Sequence, residues 1–155
     1  MSAVAVADTA LGIQFAAVGV PRPEGSTAFK GMRGGKPIIL HDDPQLPAWR
    51  NTVGYAARRA MAGKPPWEGP IRLELVFVVQ RPQKMPTGRL APVVKPDLDK
   101  LVRAIGDALN RIVYSDDAQV TELTARKRYP VDGREQCGVI VHAMPLGPQQ
   151  VALPF

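Results

Sequence analysis

Cysteine is almost missing from this chain: Cys137 stands alone among 155 residues. A lone cysteine forms no intrachain disulfide and builds no cysteine-based zinc site, so the chain is expected to work in a reducing cytoplasm. Histidine is as scarce, with only His41 and His142, too few for a histidine-rich metal centre. No apolar run nears the roughly 18 residues that a membrane span requires. The apolar opening "MSAVAVADTALGIQFAAVGV" has no basic start and is interrupted by Asp8, so it is not expected to act as an export signal. The basic amphipathic helix of a membrane-surface protein is not evident either. With two tryptophans, Trp49 and Trp67, stacking platforms are few, and both are expected to pack in the interior. Cys137 is expected to be a strand residue without chemistry.

What the chain does have is positive charge. Twenty Lys and Arg stand against 14 Asp and Glu, a net charge of +6, which favours a polyanionic partner, nucleic acid first among them. The length suits one domain with a real core. "LGIQFAAVGVPRP" reads as a strand ending at Pro21. "STAFKGMRGGKPIILHDD" reads as a hairpin turning at Gly34-Gly35. Asp43 is placed to cap a following helix with Pro44 at its first position. That helix, "AWRNTVGYAARRAM", carries an apolar stripe of Trp49, Val53, Ala56, Ala57 and Ala60 and stops at Gly63 and Pro65.

"IRLELVFVV" alternates as a strand, with Ile71, Leu73, Leu75 and Phe77 on one face and Arg72 and Glu74 on the other. A long Pro-rich connection, "QRPQKMPTGRLAPVVKP", holds four cations and no carboxylate; loops of this length are usually functional or disordered. Leu98, Leu101, Val102, Ile105, Leu109 and Ile112 then follow a 3.6-residue period. "QVTELTARKRY" and "CGVIVHAM" read as two last strands. The fold class expected is α+β, a single domain with a mixed β-sheet and two main helices, spanning residues 1–144 and followed by a tail at 145–155.

The negative charge is unevenly placed. Asp97, Asp99, Asp107, Asp116 and Asp117, five of the 14 acids, lie between Lys95 and Val120. One explanation is structural: Asp97 caps the helix, Asp99 pairs with Arg103 one turn on, and Asp116-Asp117 form a turn. The other is a carboxylate site for a hard cation such as Mg²⁺, which takes a few oxygens, several waters and a substrate phosphate. A calcium loop of the EF-hand type does not fit, because Val102 and Ala108 stand where its Gly and Glu belong. Asp107, in mid-helix one turn from Arg103, is read as structural.

The stretch "KPDLDKLVRAIGDALNRIVYSDDAQVTELTARKRY" resembles the signature region of the RusA family of Holliday junction resolvases. The shared features are a D-L-D-[NK]-L helix start, a "DAL" in mid-helix, then "DD-[AS]-Q-[VI]" and a basic strand. The resemblance is dense from Pro96 to Tyr129. It implies Asp97, Asp99 and Asp117 as catalytic, metal-binding aspartates, with Asp116 beside them, and Mg²⁺ as cofactor with Mn²⁺ as its substitute. Where the family places a lysine one turn after the second aspartate, this chain has Arg103. That change keeps the charge and removes a proton donor. The implied reaction is metal-assisted hydrolysis of DNA phosphodiesters, as paired nicks in a four-way junction made by a C2 homodimer, in recombination and repair. Such enzymes are common in phages and prophages.

Expected DNA contacts are Lys84, Arg89 and Lys95 in the long loop, Lys100 beside the acids, and Arg126 and Arg128 on one strand face. Lys30, Arg33 and Lys36 flank the hairpin turn. The competing readings are a broader or non-specific nuclease, and a non-catalytic DNA-binding accessory protein whose aspartates are caps.

Overall fold

In a computed structural model the chain is described over residues 12–25, 28–40, 43–85 and 90–147, with the side chains of 28–30 and 38–40 outside that description. The N-terminal eleven residues, Arg89 and residues 148–155 lie outside it.

Ile71–Val78, strand β4, sits in the middle of the protein because its alternation is buried on both sides of the register. Ile71, Leu73, Leu75 and Phe77 are almost fully buried, while Arg72, Glu74 and Val76 on the other face are half-buried. Around it run β1 (Ile13–Val18), β5 (Val120–Arg128) and β6 (Gly138–Pro145), in the order β1-β6-β4-β5. β6 pairs antiparallel with both β1 and β4, whereas β5 runs parallel to β4. The Gly-Gly hairpin forms a separate two-stranded ribbon of β2 (Ala28–Arg33) and β3 (Lys36–Leu40). The α+β class with a mixed sheet and two helices is thus the observed one.

Two helices cover the face of β4 that carries Leu73 and Phe77. Helix α1, Leu46–Met61, buries Leu46, Trp49, Val53, Ala57 and Met61. It starts later than expected: Gln45 occupies the cap position and Pro47 falls in the first turn. Asp43 instead accepts the Gln45 backbone N–H at 2.9 Å, shaping the turn before the helix. At the other end Ala62 turns left-handed and closes onto the carbonyls of Arg58 and Arg59. Helix α2, Leu98–Leu109, buries Leu101, Ala104, Ile105, Ala108 and Leu109. Ile112 lies beyond its last turn, packed at the edge of the core. Both tryptophans pack as expected, Trp49 buried and Trp67 at the core margin.

β4 and β5 are parallel, so the chain between them must cross over the sheet, and α2 is that crossover. Phe77 pairs with Lys127 near one end of the strands and Ile71 with Val120 at the other. α2 therefore begins at the C-terminal ends of the two strands and hands the chain back to their N-terminal ends.

Ile105 is fully buried at the centre of this packing. Ile105→Ala is expected to lower stability in urea unfolding by about 2–5 kcal/mol; a loss below about 1 kcal/mol would contradict the packing. Gly138 pairs with both Val18 and Val78, and a Cβ there would stand 2.1 Å from the Ala17 carbonyl oxygen. Gly138→Ala is accordingly expected to depress the melting temperature by forcing β1 away from β6.

Candidate active site

Asp97 precedes the first helical residue of α2, with its backbone extended and its carbonyl accepting the Leu101 N–H at 3.1 Å. Its side chain makes no cap hydrogen bond, contrary to the capping expectation. The carboxylate is half-exposed and faces Lys100 Nζ at 3.8 Å. Lys127 on β5 holds the approach to it, donating to the carbonyls of Val94 at 2.7 Å and Pro96 at 2.8 Å. Nothing in the sequence separates Lys127 from its basic neighbours; only the strand's pairing aims it at the loop.

Asp99 and Arg103 lie on the solvent face of α2, four residues apart, and both are exposed. Among the described residues neither forms an ion pair, so the expected Asp99–Arg103 pairing is not made. Gly106 continues the same face three residues on, and Asp117 approaches it: an Oδ2 of Asp117 stands 3.9 Å from where a Gly106 Cβ would be. Glycine leaves room for that acid.

Asp117 is presented by a capped turn. Asp116 caps the 3₁₀ turn Asp117–Gln119, accepting the Ala118 N–H at 2.9 Å, while Gln119 Oε1 accepts the Asp116 N–H at 2.9 Å. The Gln119 amide donates to the carbonyls of Trp67 and Gly69 and so ties the turn to the start of β4. Asp116 is thus committed in part to backbone, as the structural reading of the pair expected. Its carboxyl is held below the usual range by the Ala118 N–H and by a hydrogen bond with Asp117. Asp117 moves the opposite way, raised by that hydrogen bond with Asp116, by burial and by the Asp116 charge.

These acids do not meet in one cradle. Asp97 and Asp99 stand where α2 begins, whereas Asp117 stands beside its second half. Seven residues of helix, about 10 Å of rise, separate Asp99 from Gly106. Among the described residues no three His, Cys, Asp or Glu side chains are grouped so that they could hold a metal ion between them. The donors themselves suit Mg²⁺: all are hard oxygens, and Asp116 with Asp117 is a crowded, partly protonated pair of the kind a cation relieves. Such an ion takes one or two carboxylates and completes its shell with water and phosphate.

A second acidic group joins them that sequence reasoning had set aside. Asp107 shares the exposed side of α2, and Glu24, from the segment after β1, packs against it; Arg50 of α1 pairs with Glu24 and lies 3.3 Å from Asp107. The Glu24 N–H also donates to the Lys100 carbonyl at 3.0 Å. Burial, the hydrogen bond to Glu24 and the Glu24 and Asp117 charges push Asp107 up to about 6, against the pull of Arg50. Burial raises Glu24 too, but the hydrogen bond from Asp107, with Arg50 and Arg103 nearby, outweighs it and lowers the group. The two carboxyls share one proton, held on Asp107. Three separate segments supply this cluster, and only the "DAL" around Asp107 marked it in the sequence.

The basic residues divide. Lys84 and Lys95 are exposed, and Lys95 borders Asp97. Arg33 and Lys36 are exposed at the tip of the ribbon; the Lys30 side chain and Arg89 lie outside the described residues. Arg126 and Arg128 pair with Val76 and Val78, which puts them on the sheet face turned away from the helices. Arg128 is further committed to Glu135, bonded through both guanidinium nitrogens, and to the Tyr129 carbonyl. Neither belongs to the surface around Asp99 and Asp117, which corrects their expected place beside the acids. Cys137 is partly buried, and burial pushes its thiol up, away from reactivity.

A family model described as Endodeoxyribonuclease RusA matches residues 18–140, from the end of β1 into β6. The chain belongs to the RusA endodeoxyribonuclease family. The match takes in both helices, the long Pro-rich connection and every acid discussed above. It is also similar to "Uncharacterized protein YqaN" of Bacillus subtilis (strain 168), 40% identical over 55 residues. That alignment covers 36% of this chain and 39% of the relative, so the likeness spans well under half of either. No helix among the described residues is long and apolar enough to cross a membrane.

The shared proton has a consequence for stability. An acid with a raised folded pKa binds its proton more tightly when folded, so its contribution is present at low pH and is lost as pH climbs from about 3.8 through about 6. Glu24, being lowered, acts in the opposite sense and at lower pH. Metal-free urea unfolding is expected to show wild type losing stability between about pH 4.5 and 6.5 relative to Asp107→Asn. Parallel profiles for the two proteins would contradict the shared proton.

Proposed function

We propose that this RusA-family chain resolves four-way DNA junctions by Mg²⁺-dependent hydrolysis, as a C2 homodimer that makes paired nicks. The observation that carries the reading is the arrangement along α2: Asp97 and Asp99 at its start, Asp117 beside Gly106, and Arg103 on the face between them. Asp97, Asp99, Asp117 and, with its free oxygen, Asp116 are the groups that would hold the metal. A bound Mg²⁺ supplies charge neutralisation at the scissile phosphate and a water made acidic enough to attack it.

The chain's own residues do the rest. Lys95 and Lys84 draw the DNA backbone to the acids, and the salt dependence of binding follows from the counterions they displace. Arg103, always protonated, stabilises the extra negative charge on phosphorus as the phosphodiester opens. It supplies charge and holds its proton, so the leaving oxygen takes its proton from water. A junction is nearly two-fold symmetric, so two copies of one site give two equivalent cuts most simply through a C2 pair.

A synthetic mobile junction and a linear duplex of the same sequence separate this reading from a broader nuclease. Wild type with Mg²⁺ is expected to nick the junction and leave the duplex. Asp99→Asn is expected to bind the junction as before and to cut it more than about 100-fold more slowly, beyond the 10–100-fold typical of outer-shell changes. Equal cutting of both DNAs would leave only a general nuclease. An Asp99→Asn protein that loses stability, beside a wild type that never cuts, would favour an accessory DNA-binding role.

A further inference from the structure

A cavity of about 560 Å³ opens at the C-terminal ends of β4 and β5, bordering Asp97. Its size lies within the roughly 300–1,000 Å³ of sites that enclose a small ligand. Pro21, Pro82 and Val94 give it flat apolar walls, Lys95 and Lys100 stand on its rim side, and Tyr129 closes its inner end. Tyr129 is only 5% exposed, yet its hydroxyl has no hydrogen-bond partner among the described residues. Buried hydroxyls are nearly always paired, so an unpaired one lining a cavity points to a ligand that completes it. The Arg81 guanidinium lies 4.9 Å from the centroid of the Tyr129 ring and braces it from outside.

We infer that this cavity receives one unstacked base of the DNA strand next to the scissile phosphate, and that the Tyr129 hydroxyl reads the edge of that base. The inference rests on the nuclease reading and adds to it a determinant of where the strand is cut. The geometry selects a nucleotide over a free small molecule: Lys95 and Lys100 bind a phosphate at the rim, the apolar walls take a planar ring, and Asp97 ties the pocket to the cleavage site. A base turned out of the stack is easiest to obtain near a branch point, where pairing is already interrupted. Tyr129 is a specificity residue here, remote from the reacting atoms.

The test uses junctions that differ only in the nucleotide beside the cut, each of the four bases or an abasic sugar, cleaved in single turnover with Mg²⁺. Wild type is expected to spread its rates by about tenfold or more, with the abasic junction among the slowest. Tyr129→Phe is expected to lower the rate on the preferred base towards the abasic rate and so collapse the spread, while its melting temperature stays level or rises because the lost hydroxyl was unpaired. A structural role for Tyr129 would lower all rates and the melting temperature together. Equal wild-type rates on all five junctions, or a full spread retained by Tyr129→Phe, would overturn the pocket and leave the nuclease reading standing. A second readout needs no cleavage: 5-iododeoxyuridine at that position, irradiated in the metal-free complex, is expected to crosslink to Tyr129. Crosslinks confined to other residues would overturn the inference even if the protein proved not to be a nuclease.

Discussion

The packing of α2 across the parallel strands β4 and β5 is the constraint from which the rest of the molecule follows. A parallel pair needs a crossover, and here the crossover is a 12-residue helix whose Leu101, Ala104, Ile105 and Leu109 are fully buried. Burying that stripe turns Asp99, Arg103 and Asp107 outward. It also fixes a direction: the helix starts where the strands end and finishes where they begin. The acids on either side of it are therefore held apart along the helix, with an arginine on the face between them.

The polar groups at the two ends are kept in place by unlike means. At the start of α2, Lys127 reaches from β5 to two loop carbonyls and positions the approach to Asp97. At the far end, Asp116 and Gln119 close a capping box, and Gln119 is anchored to carbonyls near the start of β4. In the "DD-A-Q" run, then, the first Asp and the Gln serve the backbone and the second Asp is left to face Gly106. A motif that looks like a cluster of equal acids contains one acid with no backbone partner in its cap. Family membership supplies the nuclease class; the geometry distinguishes the acids within it.

Much of this was legible in the residues. Alternation from Ile71 to Val79 and the 3.6-residue period from Leu98 identify β4 and α2 because both patterns report one buried face. The Gly34-Gly35 turn and the mixed-sheet class follow from local rules of the same kind. Other features depend on pairings that no local pattern contains. Arg126 and Arg128 visibly share a face, but only their register with Val76 and Val78 tells that it is the face away from α2. Asp97 sits where a cap belongs, yet its side chain turns to Lys100. The Glu24–Arg50–Asp107 cluster draws on three segments spread over more than 80 residues of sequence, and burial, which raises Asp107 to about 6, is a property of the assembled fold. Asp97, Asp99 and Asp117 looked like one cradle because spacing along a chain carries no helix direction.

The central claim is that the acids at both ends of α2 bind the metal that cuts DNA, although they stand apart in the unbound chain. Iron(II) placed in the site with ascorbate and peroxide cleaves the backbone around the residues that hold it. In the presence of an uncleavable junction, the account predicts two clusters of cuts, one around residues 96–100 and one around residues 115–118, both suppressed by excess Mg²⁺. Cuts at only one of the two ends, or cuts that excess Mg²⁺ leaves unchanged, would contradict it.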